Sequence, residues 1–381
     1  MGYLHLEVAA AGSAKRLGAM SGDVWTVTRD AAATTVILAD GLGSGITAHI
    51  AATMTCSRLA ELLKQGFSTR QAFLRVAQTM HAVRGTDQPY AVFTLLRMLS
   101  DGETTVLSYE MPVPLLISGR LANPLPQRVQ LLEQEVVAES TCFLEPQEAI
   151  ILVSDGISMA GLGTSLKLGW TMDGVKRFAD DELLQGRGGE LAASIHGEAR
   201  RLWRQVRGDD CTVLMAACRA GKKLTVLTGP PADPSLDVET LRRFRCAEGK
   251  RVVAGATTAR LVAGALGQKL AVESDSASLI APPRYSIEGI ELVTEGAVTL
   301  NQVFHILEEN PDRFEADSGV SDLCHLLLEA DRIDFIVGGA ANPAHGDISF
   351  QQRGILPRRT IVPLLAEKLL ARGKLVVIEY T

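Results

Sequence analysis

The sequence lacks the features that define several large protein classes. Only six cysteines occur among 381 residues, and they form no C-x-x-C pair and no zinc-like spacing with histidine, so neither a disulfide framework nor a zinc site is predicted. No apolar run approaches the ~20 residues that cross a bilayer, and the N-terminus has no signal-peptide pattern. We therefore expect a cytoplasmic protein with reduced thiols and no membrane partner.

An excess of basic residues is also missing. The chain has 38 lysines and arginines against 44 aspartates and glutamates, which gives a formal net charge of −6. Because a general nucleic-acid binder needs a basic face, we expect no nucleic-acid partner. The hydrophobic fraction of 46% is ordinary for globular proteins and supplies enough material for two buried cores.

Two different patterns divide the chain near Ala220. Before this point, short apolar runs bounded by turn residues are interrupted by helices, which predicts an α+β domain at residues 1–219. After it, strands lead into glycine loops and helices, which predicts a smaller α/β domain at residues 220–381 with at least partly parallel strands. The predicted elements of the first domain are strands Val24–Thr28, Thr35–Ala39, Tyr90–Leu99, Thr104–Glu110, Leu115–Ser118, Ala149–Val153 and Cys211–Ala217, and helices Ile46–Lys64, Thr69–Arg84 and Gly189–Arg207.

Acidic residues in the first domain recur at the ends of predicted strands. Asp40 and Asp155 each follow a buried strand and precede a glycine. Asp23 opens a strand, and the pair Asp209 and Asp210 precedes the last one. Taken singly, each Asp-Gly is more typical of a turn. Together they predict a site for Mg²⁺ or Mn²⁺, because these ions prefer carboxylate and carbonyl oxygens and because carboxylates gathered without cations would raise one another's pKa.

The acidic residues lie in four motifs, which are SGD (Ser21–Asp23), ADGLGSG (Ala39–Gly45), LVSDGI (Leu152–Ile157) and GDDCTVL (Gly208–Leu214). In this order, the four motifs resemble those of the metal-dependent protein phosphatases of the 2C type. The resemblance is closest to the bacterial branch typified by the stage II sporulation protein E phosphatase, and it covers residues 1–218. It implies a fold of two antiparallel sheets packed face to face and flanked by helices, an α-β-β-α sandwich.

The resemblance also implies a site for two Mn²⁺ or Mg²⁺ ions. Asp40 would bridge the two ions, and the carbonyl group of Gly41 would bind one of them. Asp23 would bind directly or through water. The implied catalytic residues are Asp40, Asp155 and Asp209, and the implied metal ligands are Asp23, Asp40, Gly41, Asp155, Asp209 and Asp210.

The implied activity is that of a serine/threonine protein phosphatase. Water activated by the two ions would hydrolyse phosphoserine or phosphothreonine on a bacterial signalling protein, with an anti-anti-sigma-like protein as one substrate class. The phosphate-binding arginine of the eukaryotic members has no clear equivalent, and Lys15 and Arg16 are the candidates, against the alternative of a solvated basic pair. A pseudo-phosphatase adaptor and a C-terminal ligand sensor regulated through the phosphatase-like domain remain alternatives. Monomer and homodimer both stay open.

The second domain contains two glycine loops that follow predicted strands. AGATTA (Ala254–Ala259) leads into a helix whose N-terminus, with Thr257 and Thr258, suits an anion. GGAANPAH (Gly338–His345) is the second loop. Neither has the P-loop or the G-x-G-x-x-G pattern, and tight turns explain both equally well. An anion site at Thr257 and Thr258 is therefore one hypothesis for this domain.

Overall fold

A computed structural model of the chain divides into two compact units, Tyr3–Ala220 and Gly221–Thr381. Ser44 of the ADGLGSG motif and residues 341–345 of the second glycine loop lie outside the described residues. Within the described part of the chain, no helix is both long and apolar enough to cross a membrane. The structure describes residues 2–16, 18–43, 45–84, 88, 90–132, 135–164, 166–204, 208–273, 284–309, 318–340 and 354–381.

Antiparallel strands make up the centre of the first unit. They are β1 (Leu4–Ser13), β2 (Asp23–Arg29), β3 (Ala33–Gly41), β4 (Ala91–Leu99), β5 (Glu103–Tyr109), β6 (Leu115–Ser118), β7 (Leu121–Pro124), β8 (Arg128–Leu132), β9 (Glu135–Phe143), β10 (Ala149–Val153) and β11 (Cys211–Ala220). One sheet has the strand order β1-β11-β10-β6-β7, and the other has the order β2-β3-β4-β5-β9-β8.

The two sheets pack against each other through buried side chains. Leu38 and Leu96 of one sheet share a core cluster with Ile150 and Leu214 of the other. The outer face of the β2-containing sheet is covered by the first two helices, and the outer face of the β1-containing sheet by the others. These layers confirm the predicted α-β-β-α sandwich. The helices are α1 (Ile46–Lys64), α2 (Thr69–Val83), α3 (Asp155–Ser158), α4 (Thr171–Leu184) and α5 (Leu191–Trp203).

Strand β1 was not predicted, because its run Leu4–Ser13 is rich in alanine and has low strand propensity. It forms because all ten residues pair with β11 in antiparallel register, from Leu4 opposite Ala220 to Ser13 opposite Cys211. Strands β7, β8 and β9 and helix α4 were also missed. Tertiary pairing outweighed local propensity in β1.

The second unit is built on a mainly parallel sheet. Its strands are β12 (Lys223–Thr228), β13 (Lys250–Ala254), β14 (Ala271–Glu273), β15 (Arg284–Ser286), β16 (Leu292–Thr294), β17 (Arg332–Val337) and β18 (Leu375–Tyr380). The sheet order is β14-β15-β16-β13-β12-β17-β18, and the five strands from β16 to β18 run parallel. This arrangement confirms the predicted α/β character of the domain.

Helices cover both faces of this sheet. Phe244 and Val262 join one core cluster with Val253 of the sheet, while Leu300 and Leu365 join another cluster on the opposite face. The helices are α6 (Asp237–Cys246), α7 (Ala256–Leu266), α8 (Ala297–Ile306), α9 (Gly319–Glu329) and α10 (Arg358–Ala371).

Candidate metal centre

Asp23 and Asp40 face each other across neighbouring strands. Asp23 is the first residue of β2, Asp40 is the last but one of β3, and the two are direct partners in the antiparallel register. Residues directly opposite in such a pair project their side chains to the same face, with Cβ atoms about 5 Å apart. Both residues are only 7% exposed. The register therefore places two carboxylates side by side at a buried strand end.

The other sheet contributes its acidic residues at the same end of the sandwich. Asp155 follows β10, and Asp209 and Asp210 precede β11, which is the direct neighbour of β10. Ser154 connects the two sheets: its hydroxyl group donates to Asp23 Oδ2 at 2.7 Å and accepts from the Thr212 amide at 2.9 Å. The acidic positions that are scattered in sequence thus converge on one region.

The carboxylates of this region are electrostatically strained. Burial, with the neighbouring Asp23, Asp155 and Asp209, raises the pKa of Asp40 to about 9. Burial also raises the pKa of Asp23 to about 6, although hydrogen bonds from Ser154 and Thr212 oppose this rise. The pKa of Asp155 is raised as well, mainly by burial. Such shifts are typical of functional sites, because each buried negative charge disfavours the next.

In this acidic region, two buried carboxylate oxygens lack a hydrogen-bond partner among the described residues. They are Oδ1 of Asp23 and Oδ2 of Asp40. A buried, unsatisfied carboxylate oxygen is costly, and a divalent cation would both bind it and neutralise the local charge. The donor set of carboxylate oxygens suits Mg²⁺ or Mn²⁺. The types of residue present, and the unsatisfied oxygens among them, therefore suit a divalent-metal site.

The carboxylates nevertheless do not form a closed coordination shell. Among the described residues, no group of three or more acidic, histidine or cysteine side chains is arranged so that it could hold a metal ion. Asp40 and Asp155 are near enough to each other for each carboxyl group to shift the pKa of the other. Cation binding would have to draw further carboxylates toward this pair.

Asp209 and Asp210 have different environments. Asp210 is buried, and its two oxygens accept hydrogen bonds from the backbone amides of Lys15, at 2.6 Å, and Gly22, at 2.7 Å. Asp209 has a side chain that is 41% exposed and forms an ion pair with the Lys15 ammonium group at 3.3 Å. Asp210 thus holds the SGD loop in place, whereas Asp209 faces the more open side of the site. A metal-ligand role for either residue stays a prediction.

Gly41 lies where helix α1 approaches β3 most closely. A methyl group on Gly41 would overlap the backbone carbonyl group of Ala48 in α1. A methyl group on Gly156 would similarly overlap the backbone carbonyl oxygen of Asp210. Both glycines therefore have a packing reason that is independent of any ligand.

A basic cavity adjoins the acidic residues. It has a volume of about 560 Å³ and is lined by Lys15 and Arg16, by Arg200 and Arg204 near the end of α5, and by Asp209. Trp203 also lines it and donates from its indole nitrogen to the Gly156 carbonyl oxygen at 2.8 Å.

The structure thus places the two residues predicted from sequence, Lys15 and Arg16, beside two arginines that the sequence interpretation missed. The available signal was the basic run RRLWRQVR, which directly precedes GDDC in the sequence.

Comparison with models of known protein families assigns the first unit to a family. Residues 30–219 match the family model described as "Stage II sporulation protein E (SpoIIE)". The first unit of the chain belongs to the stage II sporulation protein E family. This family is one of 2C-type phosphatases, so the resemblance seen in the four sequence motifs is confirmed. No curated protein sequence matches the chain at a significant level.

Three solved structures illustrate what the chain is similar to. The RsbU and RsbW domains of Rv1364c from Mycobacterium tuberculosis are 17% identical, with 64% of this chain and 68% of that chain covered and a TM-score of 0.48. The PP2C phosphatase domain and a regulatory fragment of SpoIIE from Bacillus subtilis are 20% identical, with coverages of 57% and 63% and a TM-score of 0.47. The S. agalactiae serine/threonine phosphatase is 13% identical, with coverages of 56% and 99% and a TM-score of 0.40.

Proposed function

We propose that the first unit is a serine/threonine protein phosphatase that depends on two Mn²⁺ or Mg²⁺ ions. The observation that carries this proposal is the convergence of Asp23, Asp40, Asp155 and Asp209 at one end of the sandwich, with two buried carboxylate oxygens left unsatisfied among the described residues. Membership of a phosphatase family supports the same reading.

Each residue of the site has a defined task in this proposal. Asp40, Asp155 and Asp209 would hold the cations, with the Gly41 carbonyl group as a further ligand and with Asp23 binding directly or through water. When bound, the ions supply positive charge for the phosphoryl oxygens and lower the pKa of the attacking water.

Two further side chains position this set. The Ser154 hydroxyl group fixes the Asp23 carboxylate across the two sheets. The Asp210 carboxylate fixes the SGD loop through the Gly22 amide.

The basic cavity supplies the part of the site that binds the substrate phosphate. Arg16, Arg200 and Arg204 line one cavity with Asp209, so a phosphoryl group at the acidic cluster would have cationic side chains within the same space. Arginine suits this task because its planar guanidinium group donates two parallel hydrogen bonds to a phosphate. We infer that the substrate is a phosphoserine or phosphothreonine in a signalling protein, with the anti-anti-sigma class as the first candidate.

Hydrolysis of p-nitrophenyl phosphate by the full chain tests the metal-dependent activity. We expect turnover with Mn²⁺, its loss with EDTA, and a decrease of about 10²-fold or more in Asp40→Asn. Asp181→Asn, an exposed aspartate of α4, is the matched control and should keep full activity. If the wild-type chain is inactive with both Mn²⁺ and Mg²⁺ but retains a phosphopeptide in a pull-down, the chain is instead a pseudo-phosphatase that acts as an adaptor.

The substrate-binding role of the basic cavity is tested with Arg200→Gln. We expect the KM for a phosphoserine peptide to rise about tenfold, because one charge-assisted contact to phosphate is lost, while metal affinity stays unchanged. Arg201→Gln is the matched control, since the neighbouring Arg201 is paired with Glu198 on the surface. Equal KM values for the two variants would exclude Arg200 from substrate binding.

A further inference from the structure

The second unit has the strand order of a doubly wound fold. Across the sheet, its parallel strands have the order β16-β13-β12-β17-β18. If these five strands are numbered along the chain, the sheet order is third, second, first, fourth, fifth. In such sheets, ligands bind outside the carboxyl ends of the strands, near the point where the order reverses. Here the reversal lies at β12, between β13 and β17.

Three glycines meet at this edge of the sheet. Gly229 follows β12, Gly255 follows β13, and Gly296 comes two residues after β16. A methyl group on Gly296 would lie 3.4 Å from the Cα atom of Gly255, so the two backbones are in close approach. The Gly229 amide donates to the Thr258 hydroxyl group at 2.9 Å, which brings the β12 loop to the same place.

Two helices of ordinary length begin at these glycines. Helix α7 starts at Ala256 and α8 at Ala297, and neither N-terminus is capped by a described side chain. The free amide groups of a first helical turn attract anions, and two adjacent N-termini add their effects. A glycine at each N-cap leaves room for a ligand to reach these amides.

Buried polar atoms without partners point to the same place. Thr299 is 1% exposed, and its hydroxyl group has no hydrogen-bond partner among the described residues. It is the third residue of α8, so it lies in the first helical turn after Gly296. Nη1 of Arg358, the first residue of α10, is likewise buried and lacks a described partner.

Arg358 packs directly on the glycine loop. A methyl group on Gly229 would overlap its guanidinium group. Burial and the neighbouring Arg359 lower the pKa of Arg358, because both disfavour the positive charge of its guanidinium group. A bound anion would supply the missing partner. Glu295 lies between β16 and Gly296, and its carboxylate accepts long hydrogen bonds from the Tyr285 hydroxyl group, at 3.5 Å, and the Gly296 amide, at 3.4 Å. Each carboxylate oxygen has a second lone pair that can accept from a ligand hydroxyl group.

We propose that the carboxyl edge of this sheet is a binding site for a small phosphate monoester that carries hydroxyl groups. Arg358, the Thr299 hydroxyl group and the first turns of α7 and α8 bind the phosphate, and Glu295 binds a hydroxyl group. Thr258 positions the Gly229 loop and retains its own proton for donation. Sugar phosphates and nucleoside monophosphates share this chemistry, and the experiment distinguishes them.

Titration calorimetry on the full chain tests the proposal. Inorganic phosphate, a hexose phosphate and a nucleoside monophosphate are each titrated in EDTA, so that the divalent ions needed for turnover at the first unit are removed. We expect at least one organic phosphate to bind more tightly than inorganic phosphate, and the tighter of the two identifies the ligand class. We expect Arg358→Gln to weaken this binding about tenfold or more.

Matched variants separate binding from folding. Thr299→Val is close in shape and removes a buried hydroxyl group that has no described partner, so its melting temperature should be equal or higher while its affinity falls. Arg245→Gln changes an exposed arginine of α6, and Arg200→Gln changes the basic cavity of the first unit; both should bind as wild type does. Absence of binding by wild type, or equal affinity of wild type and both Arg358→Gln and Thr299→Val, would overturn the proposal.

Discussion

At the scale of single residues, the acidic end of the first unit contains carboxylates in two different states. Asp210 has both oxygens bonded to backbone amides, which satisfies a buried charge locally. Asp23 and Asp40 each keep one buried oxygen without a partner in the part of the chain that the structure describes. Groups whose environment opposes their charge are candidates for ligand binding, whereas satisfied groups stabilise the loop around them.

The raised pKa of Asp40 predicts how the metal-free protein responds to pH. Because this pKa is about 9 in the folded state and lower in the unfolded chain, the folded state keeps a proton that the unfolded state releases over the intervening range. Stability in EDTA should therefore fall as the pH rises from about 4 to about 9. Asp40→Asn should flatten this slope and raise the melting temperature at pH 8 by roughly 3 °C or more.

Thermal melts in EDTA at several pH values, for wild type and Asp40→Asn, check this prediction. Saturating Mn²⁺ should stabilise wild type and not Asp40→Asn, because the cation binds the ionised carboxylate. A wild-type melting temperature that does not change between pH 5 and pH 8 in EDTA would contradict the electrostatic account of the site.

Asp209 and Asp210 should respond differently to the same substitution. Asp210→Asn replaces one of the two oxygens that accept backbone amides, and we expect it to lower the free energy of unfolding by about 1–3 kcal/mol. Asp209→Asn changes a half-exposed side chain and should leave stability nearly unchanged while it decreases Mn²⁺-dependent hydrolysis. Urea unfolding and p-nitrophenyl phosphate assays on both variants provide the comparison. If Asp209→Asn were the more destabilising change, the assignment of roles would be reversed.

At the scale of elements, the site depends on helices pressed against strand ends. Helix α1 contacts the end of β3 so closely that Gly41 has no room for a side chain. Helix α5 carries Arg200 into the basic cavity and anchors the Asp155 segment through Trp203 and the Gly156 carbonyl group. Displacement of either helix would therefore move the proposed ligands as well as the core beneath them.

Gly41→Ala should disturb both stability and activity. The added methyl group would overlap the Ala48 carbonyl group, so α1 would have to move away from β3 at a cost of about 1–3 kcal/mol. Gly197→Ala is the control, because this helical glycine of α5 has open space around it and alanine is the better helix former by about 1 kcal/mol. Chemical unfolding should show opposite signs for the two variants. A Gly41→Ala protein as stable and active as wild type would refute the packing argument.

At the scale of the whole molecule, the chain consists of two units with separate cores. The hydrophobic clusters around Leu38, Phe93 and Ile151 contain described residues of the first unit only, and those around Val226 and Val253 contain described residues of the second unit only. Each unit has the size of an independent domain.

Because each core is complete within its unit, we expect residues 1–220 and 221–381 to fold separately. The first fragment should retain metal-dependent hydrolysis within about twofold of the full chain, and the second should retain binding of the organic phosphate. Circular dichroism melts and the two functional assays on each fragment measure this. A fragment 1–220 that folds but loses hydrolysis would show that the second unit contributes to activity.

Local pattern was sufficient to predict much of this protein from its sequence. The strands Leu115–Ser118 and Ala149–Val153 and the helix Ile46–Lys64 were predicted with the observed bounds, because their apolar periodicity agrees with the faces that they bury. Motif order predicted the sandwich fold and the family, which the family comparison confirms. The metal-binding roles of the acidic residues stay predictions.

Contacts between residues that are distant in sequence could be known only from the tertiary structure. Strand β1 forms only because β11 offers ten partners, and Ser154 and Arg200 become part of the site only when separate elements pack together. The same holds for Arg358, which lies 129 residues after Gly229 in the chain yet packs on it. Periodicity reports the burial of an element, but contacts between distant residues depend on strand order and register, which no local pattern contains.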